Sequence, residues 1–396
     1  MRRARSPPHT EGICTTEGDL QSRGKRSRVG DSMVTPTLIR RLLVEPLTIA
    51  LKKPFGIAGG AQVRAENVLV TVELVDGTRG YGEAAPFPAF NGETQAGAIA
   101  AVNAARPAVE GADVRSYRAI AAAIRPLVGG AGSARCALET AVLDALTKRA
   151  GLPLWAFFGG AERSLVTDVT ITVGSIAEAR DEATAFTNQG FSRLKVKIGA
   201  GTLADDLARV AAIHEAAPRA GLILDGNGGL SARAALDLVK ALDALGIKPI
   251  LFEQPVPGDD WKGLAEVSRE AGIPVAADES AATAADARRI AETGAAQVIN
   301  IKLMKSGVIE ALAIAEVARA SGIALMIGGM VEATLAMSMS ACFAAGLGGF
   351  AFVDLDTPLF LAEEPFSGGY ARLGERMDLE PITSGHGVIP IDAEAS

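Results

Sequence analysis

Two hydrophobic rhythms divide the chain. From Thr37 to about Leu74 apolar and polar residues alternate, which predicts strands over 38–43, 47–51 and 67–74. Asp76-Gly77 is a hairpin turn signal, and Gly80-Tyr81-Gly82-Glu83 continues as a further strand. Residues 53–61 read as a glycine-rich loop, and residues 85–92 as a second loop carrying the rings Phe87 and Phe90. Residues 94–150 are alanine-rich with helical spacing, interrupted at Pro107, Pro126 and Gly129-Gly130. A meander followed by helices is an α+β unit.

After Gly159-Gly160 strand-like runs alternate with amphipathic helices. The strands fall at 168–173, 193–198, 222–224, 250–252, 275–277, 298–301, 324–327 and 350–353. Their ends recur roughly every 25 residues, the length of a βα unit. Eight in one run predict a closed parallel barrel rather than an open sheet. The stretch after the eighth strand lacks a clear final helix. It is expected to fold back on the N-terminal unit, giving an α/β fold: a modified TIM barrel, (β/α)7β, with an α+β capping domain completed by the C-terminal segment. The expected division is a disordered tail over 1–32, a capping domain over 33–160, the barrel over 161–356 and the returning segment over 357–396. The tail is basic, contains Pro7-Pro8 and has no apolar signal core, so Met33 is a candidate start.

Composition narrows the function classes. A net charge of −7 argues against nucleic acid as a partner. No apolar run is long enough for a membrane span. Three widely spaced cysteines, Cys14, Cys136 and Cys342, suggest neither a disulfide framework nor a thiolate metal site, which fits a cytoplasmic protein. The three histidines sit in no motif, so chemistry rests on lysines, carboxylates or backbone.

Catalytic groups of such barrels lie at the C-terminal strand ends. Here six of the eight apolar strands end in a charged residue: Lys197, Asp225, Glu253, Asp278, Lys302 and Asp354. Asp225, Glu253 and Asp278 come from three adjacent strands, and three converging carboxylates call for a cation. An all-oxygen set favours Mg²⁺. Lys195 and Lys197 share one face of strand two, and two close ammonium groups predict a lowered pKa for at least one of them. Lys197 and Lys302 stand on strands two and six, across the ring from each other. One could remove an α-proton while the other returns one to the far face, with the metal stabilising an enediolate. Lys195 is expected to contact the substrate carboxylate, and Asn227 and Glu279 to support the site. Asp354 and Asp356 share a face of strand eight, too far across the barrel to reach the metal, and suit a substrate ammonium.

Lys195-Val196-Lys197, Asp225-x-Asn227, Glu253-Gln254-Pro255, Asp278-Glu279-Ser280 and Ile301-Lys302-Leu303-Met304-Lys305 resemble the enolase superfamily, muconate-lactonizing subgroup, over residues 36–390. Within it, Asp354-x-Asp356 resembles the signature of dipeptide epimerases. The resemblance implies epimerisation of the C-terminal residue of an L,L-dipeptide, with Lys197 and Lys302 as the acid/base pair. Thr170, Lys195, Met330, Asp354 and Asp356 then contact substrate. Family members are often homo-oligomers, and no interface is legible here. Epimerases acting on Ala-Glu carry an arginine in the first capping loop. Gly60 stands in that place here and Arg64 reads as the start of a strand, so with Phe55, Ile57, Phe87 and Phe90 nearby an apolar or small second residue is expected. The nearest alternative is an o-succinylbenzoate synthase or cycloisomerase of the same subgroup, which does not need Asp354-x-Asp356. A more distant one is a dinucleotide site at Gly199-Ala200-Gly201-Thr202-Leu203-Ala204.

Overall fold

A computed structural model describes residues 35–57 and 60–391. The tail over 1–32, the candidate start at Met33 and residues Ala58 and Gly59 lie outside the described residues. Residues from Thr35 onward form one compact unit. No helix among the described residues is long and apolar enough to cross a membrane.

The N-terminal unit is an antiparallel sheet of β1 (Ile39–Ile57), β2 (Gly60–Leu74) and β3 (Arg79–Ala84), in that order. β1 is one strand where the sequence suggested two and then a loop. Its register against β2 slips between Ala50 and Phe55 and resumes at Phe55 opposite Gln62. The slip takes up Pro54, which has no N–H to give to the ladder. Helices span Gln95–Val109, Tyr117–Val128 and Gly132–Arg149. Pro107 and Pro126 do not break them, because each sits in a last turn that ends two residues later, where little hydrogen bonding is lost. The third helix lies directly on β3. A Cβ at Gly82 would stand 2.0 Å from Ala137 O, so only glycine allows this approach.

After β4 (Ser164–Val166), the parallel sheet runs in sequence order through β5 (Val169–Ile171), β6 (Arg193–Lys197), β7 (Gly221–Asp225), β8 (Leu251–Glu253), β9 (Val275–Ala277), β10 (Val298–Lys302), β11 (Ala324–Gly328) and β12 (Phe350–Val353). A helix of ten or more residues follows each of the first seven strands but not β12. The ring closes where the Asp168 N–H donates to Val353 O at 2.9 Å. Beyond that rung, side chains replace the ladder. Thr170 N–H donates to Asp356 Oδ2 at 2.6 Å, and Leu355 N–H to Thr167 Oγ1 at 2.9 Å.

The alternation of strand side chains sets the barrel's interior. Ile223, Leu251, Ala276, Val298 and Met326 form a buried apolar layer. Two residues later on the same strands stand Asp225, Glu253, Asp278, Asn300 and Gly328, so a polar layer rests directly on a dry one.

The C-terminal segment forms a short 3₁₀ turn, Thr357–Phe360, and then β13 (Phe366–Gly368), β14 (Ala371–Leu373), β15 (Arg376–Asp378) and β16 (Val388–Pro390). It bonds to the N-terminal unit through Ala362 N–H to Ala50 O, Leu154 N–H to Gly385 O, and the buried His386 ring to Tyr81 O.

Buried Glu83 of β3 ties the cap to the barrel. Its carboxyl accepts from Asn67 Nδ2 at 2.7 Å and from the N–H groups of Ala333 and Ala336 at 2.9 and 3.1 Å. It thereby caps the helix Thr334–Leu347, whose own N-cap, Ala333, has no side-chain acceptor. Asn67 also donates to Val331 O, which fixes the loop after β11. Burial pushes Glu83 up to about 7, against the pull of those donors. A carboxyl raised on folding adds stability that is complete below its unfolded value, near 4.5, and is lost as pH rises through about 7. Between about pH 5 and pH 8, urea unfolding is therefore expected to show a larger stability loss for the wild type than for Glu83→Gln.

Candidate active site

A pocket lies at the C-terminal mouth of the barrel. Thr170, Lys195, Lys197, Asn227, Lys302, Met330, Asp354 and Asp356 line it from the barrel, and Phe55, Phe87 and Phe90 from the N-terminal unit. Seven of the ten residues singled out in the sequence thus meet in one cavity wall. The other three, Asp225, Glu253 and Asp278, are fully buried beside it and reach it through the lysines.

Lys195 is the junction. Its ammonium lies 2.9 Å from Asp225 Oδ2, 2.8 Å from Glu253 Oε2 and 2.6 Å from Asp354 Oδ2. Burial alone would lower its pKa, but Asp225, Asp354 and Glu253 outweigh burial and hold it well above the ordinary lysine value. Lys195 is therefore not a lowered lysine of this pair, because the carboxylates facing it, which the strand pattern alone did not count, outweigh burial. Lys302 is raised in the same way, with Asp278 and Glu253 overcoming burial. The acidic set on strand eight is also less separate than its place across the ring suggested, since one ammonium touches both Asp354 and Asp225.

Lys197 Nζ donates to Asp225 Oδ2 at 2.6 Å and to Asn227 Oδ1 at 3.0 Å. Asn227 Nδ2 in turn reaches Glu279 Oε1 at 3.3 Å. Lys302 Nζ lies 2.6 Å from Asp278 Oδ2 and 4.8 Å from the centre of the Phe90 ring. In an eight-strand ring β6 and β10 are four places apart, so Lys197 and Lys302 enter the cavity from opposite sides.

The backbone at the rim is strained. Asn227 and Gln254 follow β7 and β8 with φ of 40° and 32°, a region unfavourable for residues with a Cβ. Hydrogen bonds hold them there. Asn227 N–H donates to Asp225 Oδ1, and Gln254 Oε1 accepts from the N–H groups of Asp278 and Ser280. These bonds turn the chain sharply while leaving the carboxylates of Asp225, Glu253 and Asp278 aimed inward.

These three acids fit a hard divalent cation. All donors are oxygen, and Glu253 Oε2 and Asp278 Oδ2 are buried without a hydrogen bond, each facing only an ammonium. Burial and then the neighbouring Asp225 charge push Glu253 up to about 7, against the pull of Lys195. The tightest acidic set among the described residues is a different one: Asp168, Asp354 and Asp356 bring oxygens within 4.8 Å of one another.

Three supporting residues were given no role by the sequence. Asn300 Nδ2 donates to Glu253 Oε1 at 2.7 Å. Lys305 Nζ lies 2.8 Å from Asp278 Oδ1 and also donates to Asn300 O. Asp168 lies beside the strand-eight pair. Asn300 and Asp168 each precede a singled-out residue, Lys302 and Thr170, by two positions, so strand alternation carried the signal. The glycine-rich stretch after β6 does not look like a phosphate cradle. Its helix N-terminus is closed by a Thr202–Asp205 capping box, and Asp206 takes the Gly199 N–H. Two acids in that first turn would repel a phosphate.

Comparison with known proteins agrees with this architecture. Residues 40–159 match the mandelate racemase/muconate lactonizing enzyme N-terminal domain, and residues 178–393 the enolase C-terminal domain-like family. The chain is 52% identical over 353 residues to an aromatic dipeptide epimerase of Herpetosiphon aurantiacus, covering 89% of this chain and 99% of that protein. A solved mandelate racemase/muconate lactonizing enzyme from Roseiflexus sp. superposes with a TM-score of 0.86 at 59% identity, over 90% of this chain and 99% of that one. A dipeptide epimerase from Enterococcus faecalis V583, solved with Mg and the dipeptide L-Leu-L-Tyr, superposes with a TM-score of 0.85 at 32% identity, over 89% and 99% of the two chains. The chain belongs to the mandelate racemase/muconate lactonizing enzyme family of the enolase superfamily.

Proposed function

We propose that this protein is an isomerase that epimerises the C-terminal residue of L,L-dipeptides by 1,1-proton transfer. The observation that carries the reading is the placement of Lys197 and Lys302 on opposite sides of one buried cavity, with Asp354 and Asp356 in its wall. A dipeptide in that cavity has its α-carbon between two amines. One lysine accepts the α-proton and the other delivers a proton to the opposite face, which inverts the centre. The α-proton of a carboxylate is weakly acidic, so charge building on the carboxylate must be stabilised. Asp225, Glu253 and Asp278 would hold Mg²⁺, and the bound ion would supply that stabilisation as a Lewis acid. Lys195, joined to Asp225, Glu253 and Asp354, adds a fixed positive charge beside the reacting end.

Asp354 and Asp356 are read as the site for the substrate's ammonium. Asp356 has one oxygen committed to the Thr170 N–H and one buried oxygen without a partner, which leaves an acceptor for a cation. An o-succinylbenzoate synthase or cycloisomerase would leave this pair without a task, and relatives named as dipeptide epimerases favour the first reading. In the proposed working division, the cap is 33–160, the barrel 161–356 and the returning segment 357–396.

The second residue of the substrate is read as apolar or small. Phe55, Phe87, Phe90 and Met330 line the cavity, and its cations are the three lysines already paired with acids. Gly60 and Arg64 line a separate outer groove, so no arginine among the described lining residues could meet a glutamate side chain. The aromatic specificity in the name of the Herpetosiphon relative points the same way.

Incubation with Mg²⁺ in D₂O is expected to place deuterium on the C-terminal α-carbon of L-Ala-L-Phe and to form the L,D epimer. L-Ala-L-Glu should react with kcat/KM lower by about tenfold or more, the range set by pocket complementarity. Preference for L-Ala-L-Glu would overturn the apolar reading, and no exchange with any dipeptide would overturn the reaction. For the metal, Lys305→Met removes the ammonium that orients Asp278 by bridging its carboxylate and the Asn300 carbonyl, and such supporting changes cost ~10–100-fold in metal affinity. Titration calorimetry with Mg²⁺ should show that loss, and unchanged affinity would place the ion away from Asp278.

A further inference from the structure

Asp168 has no task in the reaction described so far, yet it is one of the more costly side chains in the molecule. It is 0% exposed, and neither carboxyl oxygen has a hydrogen-bond partner. Its oxygens lie within 4.8 Å of those of Asp354 and Asp356. It is not part of the cavity lining, whereas Asp354 and Asp356 are. Asp168 therefore stands behind the pair, on the side away from the substrate.

The barrel seam explains how it is held there. The Asp168 N–H closes the ring on Val353 O, one residue before Asp354. Asp354 N–H donates to Ile327 O, so both backbones are pinned on either side of the seam. Three carboxyls this close cannot all carry charge. The cation in contact is Lys195, which touches Asp354 and is shared with Asp225 and Glu253. With no further side-chain cation among the described residues in contact with Asp168, a proton on one of the three relieves the repulsion in the absence of a bound cation.

We propose that Asp168 is a positioning residue of the ammonium site: it donates a shared proton to Asp354 from behind and so holds that carboxylate toward the cavity. The inference rests on the dipeptide reading above. It accounts for a buried acid without acceptors or donors of its own, and for the pairing of Asp354 with Lys195 rather than with Asp168. Burial and the charges of Asp354 and Asp356 outweigh Lys195 and hold the Asp168 carboxyl well above the usual range, which supports a proton at this place. Asp354, gripped by Lys195 on one side and Asp168 behind, and Asp356, gripped by the Thr170 N–H, together present fixed oxygens to an incoming ammonium.

The test compares L-Ala-L-Phe with propionyl-L-Phe, which lacks only the amino group. The ratio of their kcat/KM values measures what the ammonium contributes. Removing a hydrogen bond to a charged group costs about tenfold or more, so Asp168→Ala should lower this ratio by about that factor, mainly through KM for the dipeptide. Asp168→Asn keeps a donor at the same place and should keep the ratio within about threefold of the wild type. Should the space left by alanine unfold the barrel, Asp168→Leu, similar in shape and without a donor, takes its place. A purely structural role would slow both substrates alike and leave the ratio unchanged, which overturns the proposal. Collapse of the ratio in Asp168→Asn overturns it as well, since charge rather than a donated proton would then matter. A wild type that turns over neither compound fails the dipeptide reading itself and takes this inference with it.

Discussion

The ammonium of Lys195, sealed from solvent between Asp225, Glu253 and Asp354, is the contact on which the site depends. Burying charges in such numbers works against stability, and removing one partner of a buried pair typically costs ~3–5 kcal/mol. Such groups are kept where chemistry needs them. Lys195 joins the acids of β7 and β8, which would hold a cation, to the acid after β12, which would hold an ammonium. The two ends of the substrate would therefore be read by one connected set of charges. Lys197 and Lys302 hang from the same network through Asp225 and Asp278.

The fold makes this network possible in two ways. Strand alternation stacks the polar layer on the apolar plug of Ile223, Leu251, Ala276, Val298 and Met326, so solvent cannot enter from below. The N-terminal unit covers it from above with Phe55, Phe87 and Phe90, and Phe55 packs edge-on against Phe360 of the returning segment. A water-poor cavity strengthens each electrostatic contact inside it. Glu83 and Asn67 then fix the loop bearing Met330, so the cap governs both the roof and one wall.

Much of this was legible in the sequence because it depends on local periodicity. Period-two spacing gave the inward faces of Lys195 and Lys197, and the recurring βα unit gave the barrel and its rim. Most of the failures involve partners distant in the chain. The upward pull of the carboxylates on Lys195 was not legible because Asp354 is 159 residues away. Asp168 went unnoticed because its neighbours arrive only when the ring closes. β1 was split in two because its continuity depends on β2, and Pro107 and Pro126 suggested breaks where the helices were already ending. The C-terminal segment carried no periodic signal, being short strands paired across the cap and barrel.

The central claim is that Lys197 and Lys302 serve opposite faces of one α-carbon. The direct measurement is α-proton exchange in D₂O with Lys197→Ala and Lys302→Ala, each assayed with the L,L- and the L,D-dipeptide. Each variant should lose epimerisation and still exchange one epimer, and the two variants should exchange opposite ones. Exchange of the same epimer by both, or continued epimerisation by either, would contradict a two-lysine, two-face mechanism.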